Sequence, residues 1–140
     1  ELQVKKCGAV SPFSFDATDC PDLFPSLVVL ATHAKGTSFI KGISRLLNKE
    51  SDRAAAIINE FTSMGASISI EADVMRIEGG KELKKAELHS HHDHRMAMTL
   101  SIAGIGIKQG IVVEQAESVS KSFPAFFDVL KACGGNVTLR

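Results

Sequence analysis

Asn48-Lys49-Glu50-Ser51-Asp52-Arg53 is a polar stretch that separates two segments of different pattern. Residues 36–42 before it form a short segment with a glycine at each end, which predicts a strand. Residues 54–61 after it are mostly apolar and predict a helix that ends near Met64-Gly65. The polar stretch is therefore expected to lie between a strand and the N-terminus of a helix.

The residue types in this stretch suit a site for an anion. Ser51 and Asp52 are typical of helix caps and first turns. A helix N-terminus presents free N–H groups, and Lys49 and Arg53 add positive charge beside them. Glu50 lies between these two cations and is a candidate proton carrier. Charged residues in a first turn are also common in solvated caps, so the functional interpretation depends on the rest of the chain.

Composition limits the class of protein. A chain of 140 residues fits one domain, and its 16 basic and 16 acidic residues leave no excess of positive charge for a nucleic acid. The three cysteines include no C-x-x-C pair, which disfavours a disulfide scaffold or a four-cysteine zinc site and suits a reducing cytoplasm. No apolar run reaches the roughly 18 residues of a membrane span. Since the chain opens with Glu1 and no signal peptide, we expect a piece of a longer cytoplasmic protein.

The remaining pattern alternates helices and strands. Residues 23–34 are apolar nearly all round, which is typical of a helix inside a domain. Residues 66–71 and 74–78 alternate with period two and predict a hairpin. The other predicted elements are strands over 2–4, 110–114 and 136–139, and helices over 96–103 and 123–132.

Landmark residues recur at nearly one period. The separations are 71 residues from Asp22 to Asp93, 74 from Gly36 to Gly110, 72 from Lys49 to Lys121 and 69 from Gly65 to Gly134. This period is too long for a solenoid and predicts a duplicated α/β unit, approximately 16–80 and 87–140, within a single domain. Four of these landmarks are therefore expected at one rim of the domain, facing one site: Asp22, Lys49, Asp93 and Lys121.

Four motifs carry a family resemblance. They are Asp16-x-x-Asp19-x-Pro21-Asp22-Leu23-x-Pro25, Lys49-Glu50-Ser51-Asp52-Arg53, Asp93-His94-Arg95-Met96-Ala97-Met98 and Lys121-Ser122-Phe123-Pro124-x-Phe126. In this order they resemble the enolpyruvyl transferase family, and most closely its 5-enolpyruvylshikimate-3-phosphate synthases. The motifs cover nearly the whole chain.

This resemblance implies an α/β fold of a particular kind. The family's domains are inside-out α/β barrels built of repeated β-α-β-α-β-β units, with buried helices and outer sheets, and about two units are expected here. Residues 1–140 would then be most of the C-terminal domain of a two-domain synthase, whose N-terminal domain is its partner. A missing unit would expose apolar helix surface, so we expect the fragment to self-associate.

The resemblance also implies a reaction. The enolpyruvyl (carboxyvinyl) group of phosphoenolpyruvate is transferred to the 5-hydroxyl of shikimate 3-phosphate and phosphate is released, a step of aromatic amino acid biosynthesis. Arg53, Arg95 and Lys121 match the family's cations for phosphoenolpyruvate. Asp22 matches the base near the 5-hydroxyl, and Glu50 matches the residue that protonates the methylene carbon.

Further residues match contacts around these substrates. Lys49, together with Asp22, matches a contact to shikimate 3-phosphate, and Asp93 and His94 match residues that support the site. No metal and no organic cofactor is implied. A further polar contact to shikimate 3-phosphate stays open among three residues: Ser44, Arg45 and Asn48.

Several alternatives accompany this interpretation. Asp22 could be only a helix N-cap, and Lys121 only a surface residue. The run from His89 to His94 contains zinc-ligand types, so a metal site is the competing interpretation there. The fold also occurs in UDP-N-acetylglucosamine 1-carboxyvinyltransferases, which lack the Lys49–Arg53 string, and a non-catalytic interaction module could share it. The roles of His89, His91 and His92 are not predicted.

Overall fold

The computed structural model describes residues 8–47 and 49–139 of the chain. The strand predicted over 2–4 and the side chain of Asn48 lie outside the described residues. In chain order the strands and α-helices are β1 Ser14–Asp16, α1 Phe24–His33, β2 Thr37–Lys41, α2 Arg53–Ser63, β3 Ser67–Glu71, β4 Val74–Glu78, β5 Glu87–His89, α3 His94–Gly104, β6 Val112–Glu114 and α4 Phe126–Ala132. Short 3₁₀ helices at Pro21–Leu23, Ile43–Leu46 and Ala116–Lys121 precede α1, α2 and α4. No helix of the described part is long and apolar enough to cross a membrane.

The first half of the chain forms one β-α-β-α-β-β unit. Its sheet has the order β1-β2-β4-β3, in which β1 and β2 are parallel and the other pairs are antiparallel. The strand β2 and the β3–β4 hairpin lie where the sequence predicts them. Helix α2 begins at Arg53 because the carboxylate of Asp52 caps it by accepting a hydrogen bond from the N–H of Ala55.

The second half repeats the order of the first four elements. β5 and β6 pair in parallel, with α3 between them, and α4 follows. This order is consistent with the predicted repeat over 16–80 and 87–140. The repeat and the assignment of residues 1–140 to a single domain both stay predictions.

The core lies between the four-stranded sheet and helices α1 to α3. Its fully buried members come from all of these elements: Ile40, Met75 and Ile77 from the sheet, Phe24 and Val28 from α1, Ile57 and Phe61 from α2, and Met96 and Leu100 from α3. Burying one such side chain is worth about 1.5–3 kcal/mol relative to exposing it. The shared core therefore holds the three helices in a fixed arrangement.

Helix α1 is not enclosed on all sides, contrary to the expectation from its apolar sequence. Leu23, just before it, and Leu30 are 50% and 44% exposed. Ile102 and Ile105, in and just after α3, are exposed to a similar degree. Each helix buries one face against the core, and the opposite apolar face has no cover within the described residues.

Predictions near the C-terminus also need correction. Residues 136–139 do not form a strand, because no strand of the described part pairs with them. Helix α4 begins at Phe126 and not at Phe123. Phe123 precedes Pro124, a position where the helical conformation is disfavoured, and its N–H bonds to the carbonyl of Val119. Conversely, β1 and β5 were not predicted, because each has only three residues and neither lies in an apolar run that follows a glycine, as β6 does.

Candidate active site

Three helix starts meet on one surface of the molecule. Asp22 lies in the 3₁₀ helix that precedes α1, Arg53 is the first residue of α2, and Asp93 is the N-cap of α3. Lys49 and Glu50 lie in the connection that leads into α2. The contacts of Arg53 join all of these segments.

Arg53 is the centre of the cluster. Its side chain is fully buried. Its Nε donates to Asp93 Oδ2 at 2.8 Å, its Nη1 to Asp22 Oδ1 at 3.2 Å, and its Nη2 to Glu50 Oε2 at 2.6 Å. A guanidinium carries five N–H donors in a rigid fork, so it can serve three carboxylates in different directions. One side chain thus links the starts of α1, α2 and α3.

Asp93 is the buried partner of Arg53. Its Oδ2 also accepts from the Ser51 hydroxyl at 3.2 Å. Its Oδ1 accepts from the N–H groups of Arg95, at 2.8 Å, and Met96, at 3.4 Å, and so caps α3. Burial alone raises the pKa of Asp93, but the hydrogen bond and charge of Arg53, with the two N–H groups, leave this pKa below its usual value.

The same balance acts on the guanidinium. Burial alone lowers the pKa of Arg53, but the hydrogen bond and charge of Asp93, with Glu50 and Asp22, raise this pKa above its usual value. Both members of the buried pair are therefore charged. Such a pair adds little net stability, but loss of one partner leaves a buried charge uncompensated.

Asp22 bridges the exposed side of the cluster. Its Oδ2 accepts from Arg95 Nη2 at 2.9 Å, and its Oδ1 lies 3.9 Å from Lys49 Nζ. Its side chain is 49% exposed. Asp22 makes no side-chain cap bond to α1, so the interpretation of this residue as a helix N-cap is wrong. Its carboxylate instead lies among three cations.

Lys121 and His94 approach the cluster from the second half of the chain. Lys121 Nζ donates to the carbonyl of His92 at 2.8 Å, immediately before the cap of α3. The largely buried His94 has its Nδ1 3.9 Å from Glu50 Oε1, which is too far for a hydrogen bond. No other partner of this nitrogen lies within the described residues.

The structure joins seven of the proposed site residues through their side chains, and Lys121 lies next to them through its bond to the carbonyl of His92. The proposed residues are Asp22, Lys49, Glu50, Arg53, Asp93, His94, Arg95 and Lys121. Four cations face three carboxylates, so the cluster carries one net positive charge when the histidine is neutral. Such a surface can bind an anionic ligand and hold carboxylates beside it. The role of each residue stays a prediction.

Glu60 is a neighbour of the site that the sequence analysis did not find. Its Oε2 accepts from the N–H of His89 at 2.9 Å, and its Oε1 lies 2.8 Å from His91 Nε2. The available signal was its position seven residues after Arg53, which places both on the same buried face of α2. A charged residue on a buried helix face needs a polar partner.

The histidines before α3 do not form a metal site in the described part of the chain. No group of three or more His, Cys, Asp or Glu side chains there is arranged to hold a metal ion. The rings of His89 and His91 instead pack edge to face, with centroids 4.8 Å apart. The zinc interpretation therefore has no support in the geometry of these residues.

The further polar contact expected from Ser44, Arg45 or Asn48 stays a prediction with all three residues open. The N–H of Ser44 donates to Asp73 Oδ1 at 2.7 Å, and Arg45 Nε donates to the carbonyl of Thr18 at 3.2 Å. Asn48 lies outside the described residues. The backbone of Ser44 and the guanidinium of Arg45 are thus engaged with neighbouring loops.

Two clefts in the described part of the chain are lined by residues outside the cluster. One cleft of about 450 Å³ lies between α3, β6, α4 and the C-terminal residues. Another of about 310 Å³ lies beside the C-terminal ends of α1 and α3. Neither is lined by a residue of the cluster.

Comparison with known proteins decides the family. A family model described as EPSP synthase (3-phosphoshikimate 1-carboxyvinyltransferase) matches residues 1–130. The chain belongs to the EPSP synthase family. It is 43% identical to the 3-phosphoshikimate 1-carboxyvinyltransferase of Clostridium acetobutylicum over 122 aligned residues. These residues are 87% of this chain and 28% of the relative. The enzyme of the same name from Brachyspira hyodysenteriae is 35% identical over 136 residues, 97% of this chain and 32% of the relative.

Solved structures agree with this assignment. EPSP synthase from Acinetobacter baumannii matches 81% of this chain with a TM-score of 0.75 and 32% identity, over 27% of its own length. The enolpyruvyl transferase NikO from Streptomyces tendae matches 90% of this chain with a TM-score of 0.70, over 28% of its own length. Since NikO is only 17% identical, it shows the fold alone. The predicted α/β fold of the enolpyruvyl transferases is confirmed, and the chain spans less than a third of these relatives.

Proposed function

We propose that this chain supplies part of the active site of an enzyme that transfers the enolpyruvyl group from phosphoenolpyruvate to the 5-hydroxyl of shikimate 3-phosphate, with release of phosphate. The observation that carries the proposal is the convergence of three carboxylates on the buried Arg53 at the starts of α1, α2 and α3, with Arg95 and Lys49 beside Asp22 and Lys121 bound to the backbone just before α3. Family membership and the names of the relatives support the same reaction.

The cations suit phosphoenolpyruvate. This substrate brings about three negative charges near pH 7, from its phosphate and its carboxylate. Arg53, Arg95 and Lys121 are the proposed cations for this substrate. Arg95 is partly exposed beside Asp22, so its planar fork can turn to a carboxylate or phosphate, whereas Lys121 contributes a point charge at the start of α3. The buried Arg53 contributes charge and fixes the carboxylates around it.

The carboxylates suit the proton transfers. Asp22 is the proposed base that takes the proton of the 5-hydroxyl as its oxygen attacks the enol carbon. Glu50 is the proposed acid that protonates the methylene carbon, which gives a tetrahedral intermediate. Loss of phosphate, with removal of a proton from the methyl group formed in the first step, then restores the carbon–carbon double bond and gives the enolpyruvyl ether. Both side chains are partly exposed and both contact Arg53, so they can face one ligand at a fixed separation.

The other residues of the cluster take supporting roles. Lys49 is proposed to contact shikimate 3-phosphate, and it already lies beside Asp22. Asp93 holds Arg53 and caps α3, and the largely buried His94 points its Nδ1 towards Glu50. We propose no metal and no organic cofactor.

The proposal includes partners and location. The rest of the substrate contacts would come from an N-terminal domain of the same enzyme, because the curated relatives are about three times as long as this chain. We expect the enzyme in a reducing cytoplasm, and the free thiols of Cys20 and Cys133 support this. The relatives named above are 3-phosphoshikimate 1-carboxyvinyltransferases, which supports shikimate 3-phosphate as the acceptor over UDP-N-acetylglucosamine.

A chimera tests the activity. This chain replaces the matching residues of the Clostridium acetobutylicum relative, and phosphate release is followed with phosphoenolpyruvate and shikimate 3-phosphate. UDP-N-acetylglucosamine serves as the alternative acceptor. We expect turnover with shikimate 3-phosphate only. Asp22→Asn should slow it by about 10²–10⁴-fold, the usual contribution of a general base.

A matched control separates chemistry from folding. Asp16→Asn changes a carboxylate that pairs with Lys41 at 3.0 Å, away from the cluster, and should leave turnover unchanged. If the chimera melts cooperatively but releases no phosphate with either acceptor, the chain is a non-catalytic module of the fold. If Asp22→Asn keeps full turnover, the base is assigned to the wrong residue.

A further inference from the structure

A second set of polar contacts lies directly behind the cluster, between α2 and the turn that leads into α3. The largely buried carboxylate of Glu60 accepts from the N–H of His89 at 2.9 Å and lies 2.8 Å from His91 Nε2. The N–H of His91 in turn donates to His89 Nδ1 at 2.9 Å. One helix side chain thus contacts the backbone of the last residue of β5 and a side chain of the connection before α3.

This connection has an unusual backbone. His91 and His92 both have positive φ, 56° and 55°, in the left-handed region that residues other than glycine rarely adopt. The turn is closed by the N–H of Asp93, which donates to the carbonyl of Ser90 at 3.0 Å. Two such residues in succession persist only where the surroundings hold them, and Glu60 contacts this turn through His91.

The turn sets two features of the site. It points the carbonyl of His92 at Lys121 Nζ, 2.8 Å away. It also places Asp93, the next residue, where its carboxylate meets Arg53 at 2.8 Å and caps α3. Neither Glu60 nor His91 is among the residues proposed to touch a substrate.

We propose that Glu60 and His91 are positioning residues: their contact holds the left-handed turn that fixes Lys121 and Asp93 at the site. The inference rests on the proposed function, because Lys121 is taken as a ligand of phosphoenolpyruvate. It assigns a role to a histidine whose residue type had suggested metal binding. The imidazole acts here through the N–H donor at its Nε2.

Four variants of the 140-residue chain test the inference. His91→Leu and His91→Ala remove the donor, and both should fold because this side chain is one-third exposed. His91→Gln places an amide N–H at about the same reach and should rescue the contact. His33→Leu removes an exposed histidine at the far end of α1 and serves as the matched control.

Two readouts are measured on each variant by NMR. The first is hydrogen exchange of the amides of Asp93 and Arg95, compared with those of Met75 and Ile77 in the sheet. In His91→Leu and His91→Ala we expect the first pair to exchange about tenfold faster while the sheet pair is unchanged. The second is titration with phosphoenolpyruvate, whose affinity should fall about tenfold in the same two variants. His91→Gln and His33→Leu should match the parent chain.

The outcomes are distinguishable. If exchange rises equally in the turn and in the sheet, or if His91→Gln behaves like His91→Leu, the contact has only a general structural role and the inference is overturned. Unchanged exchange in both truncated variants also overturns it. If phosphoenolpyruvate binds none of the proteins, including the parent chain, the proposed function fails, and the exchange data alone still decide whether the turn is held by Glu60 and His91.

Discussion

Removal of the buried guanidinium should unfold this chain more readily than removal of any exposed cation. Arg53→Met keeps a long side chain of similar reach but deletes the charge. Asp93 then remains fully buried with no cation beside it, and only the Ser51 hydroxyl and two N–H groups face it. An uncompensated buried charge is the reason for the expected loss of stability.

The size of the expected loss of stability depends on which contacts of Arg53 are buried. The contact with Asp93 is between two fully buried side chains, and breaking such a pair costs about 3–5 kcal/mol. The contacts with Asp22 and Glu50 involve half-exposed carboxylates, so each adds at most about 1 kcal/mol. For a domain of this size, a loss of 3–5 kcal/mol lowers the melting temperature by about 10–20 °C.

The loss of stability caused by Arg53→Met should depend on pH. In the parent chain the pKa of Asp93 lies below its unfolded value of 3.8, so its contribution is present above that pH and is lost as pH falls through the folded pKa. In Arg53→Met, burial is no longer opposed by the cation, and the folded pKa should lie above the unfolded value. Stability is then lost as pH rises through that folded pKa. The deficit of the variant should therefore be larger near neutral pH than in mild acid.

Urea unfolding of the 140-residue chain at neutral and mildly acidic pH measures both effects. Arg76→Met is the matched control, because Arg76 pairs with Glu78 at 2.7 Å on the surface and should cost about 0–1 kcal/mol. Arg53→Met combined with Asp93→Asn should recover part of the loss, since no buried charge is left. A cost of Arg53→Met as small as that of Arg76→Met, at both pH values, would refute the reasoning.

Three further predictions concern the site, the whole chain and its surface. In the chimera, Arg95→Lys keeps the charge but loses the fork, so kcat/KM for phosphoenolpyruvate should fall about ten- to hundredfold with little change in melting temperature. Calorimetry should show an unchanged Kd for shikimate 3-phosphate in Arg95→Lys and a raised Kd in Lys49→Ala. If Arg95→Lys has a lower melting temperature but normal kinetics, Arg95 is a structural residue. The 140-residue chain alone should form no enolpyruvyl product, because closure around both substrates needs the remaining two-thirds of the relatives' length, and detectable product would contradict this. At high concentration the chain should dimerise or bind a hydrophobic dye through exposed apolar side chains such as Leu30 and Ile105. The double variant Leu30→Gln, Ile105→Gln should weaken dimerisation and dye binding. A sharp monomer in sedimentation, without dye binding, would speak against this exposed apolar surface.

Local sequence was enough to predict the helices and strands that have a clear hydrophobic period or a capping residue. The Asp52 cap, the helix after it and the β3–β4 hairpin lie where composition and alternation predict them. The family motifs were likewise visible in the sequence, because each is a short run of unusual residue types. Short strands gave no such signal: β1 and β5 exist because a neighbouring strand pairs with them.

What the sequence determined about this protein is therefore the local elements that show a clear period or cap, together with the charged residues that are proposed for the site. Only the tertiary structure decided that Arg53 is buried and shared by three carboxylates, that Asp22 faces cations instead of capping a helix, and that the apolar face around Leu30 stays uncovered. It also placed the carboxylate of Glu60 2.8 Å from His91 Nε2. The physical reason is that burial and pairing depend on residues far apart in the chain, 31 positions in the case of Glu60 and His91, whereas caps and periods depend on neighbours.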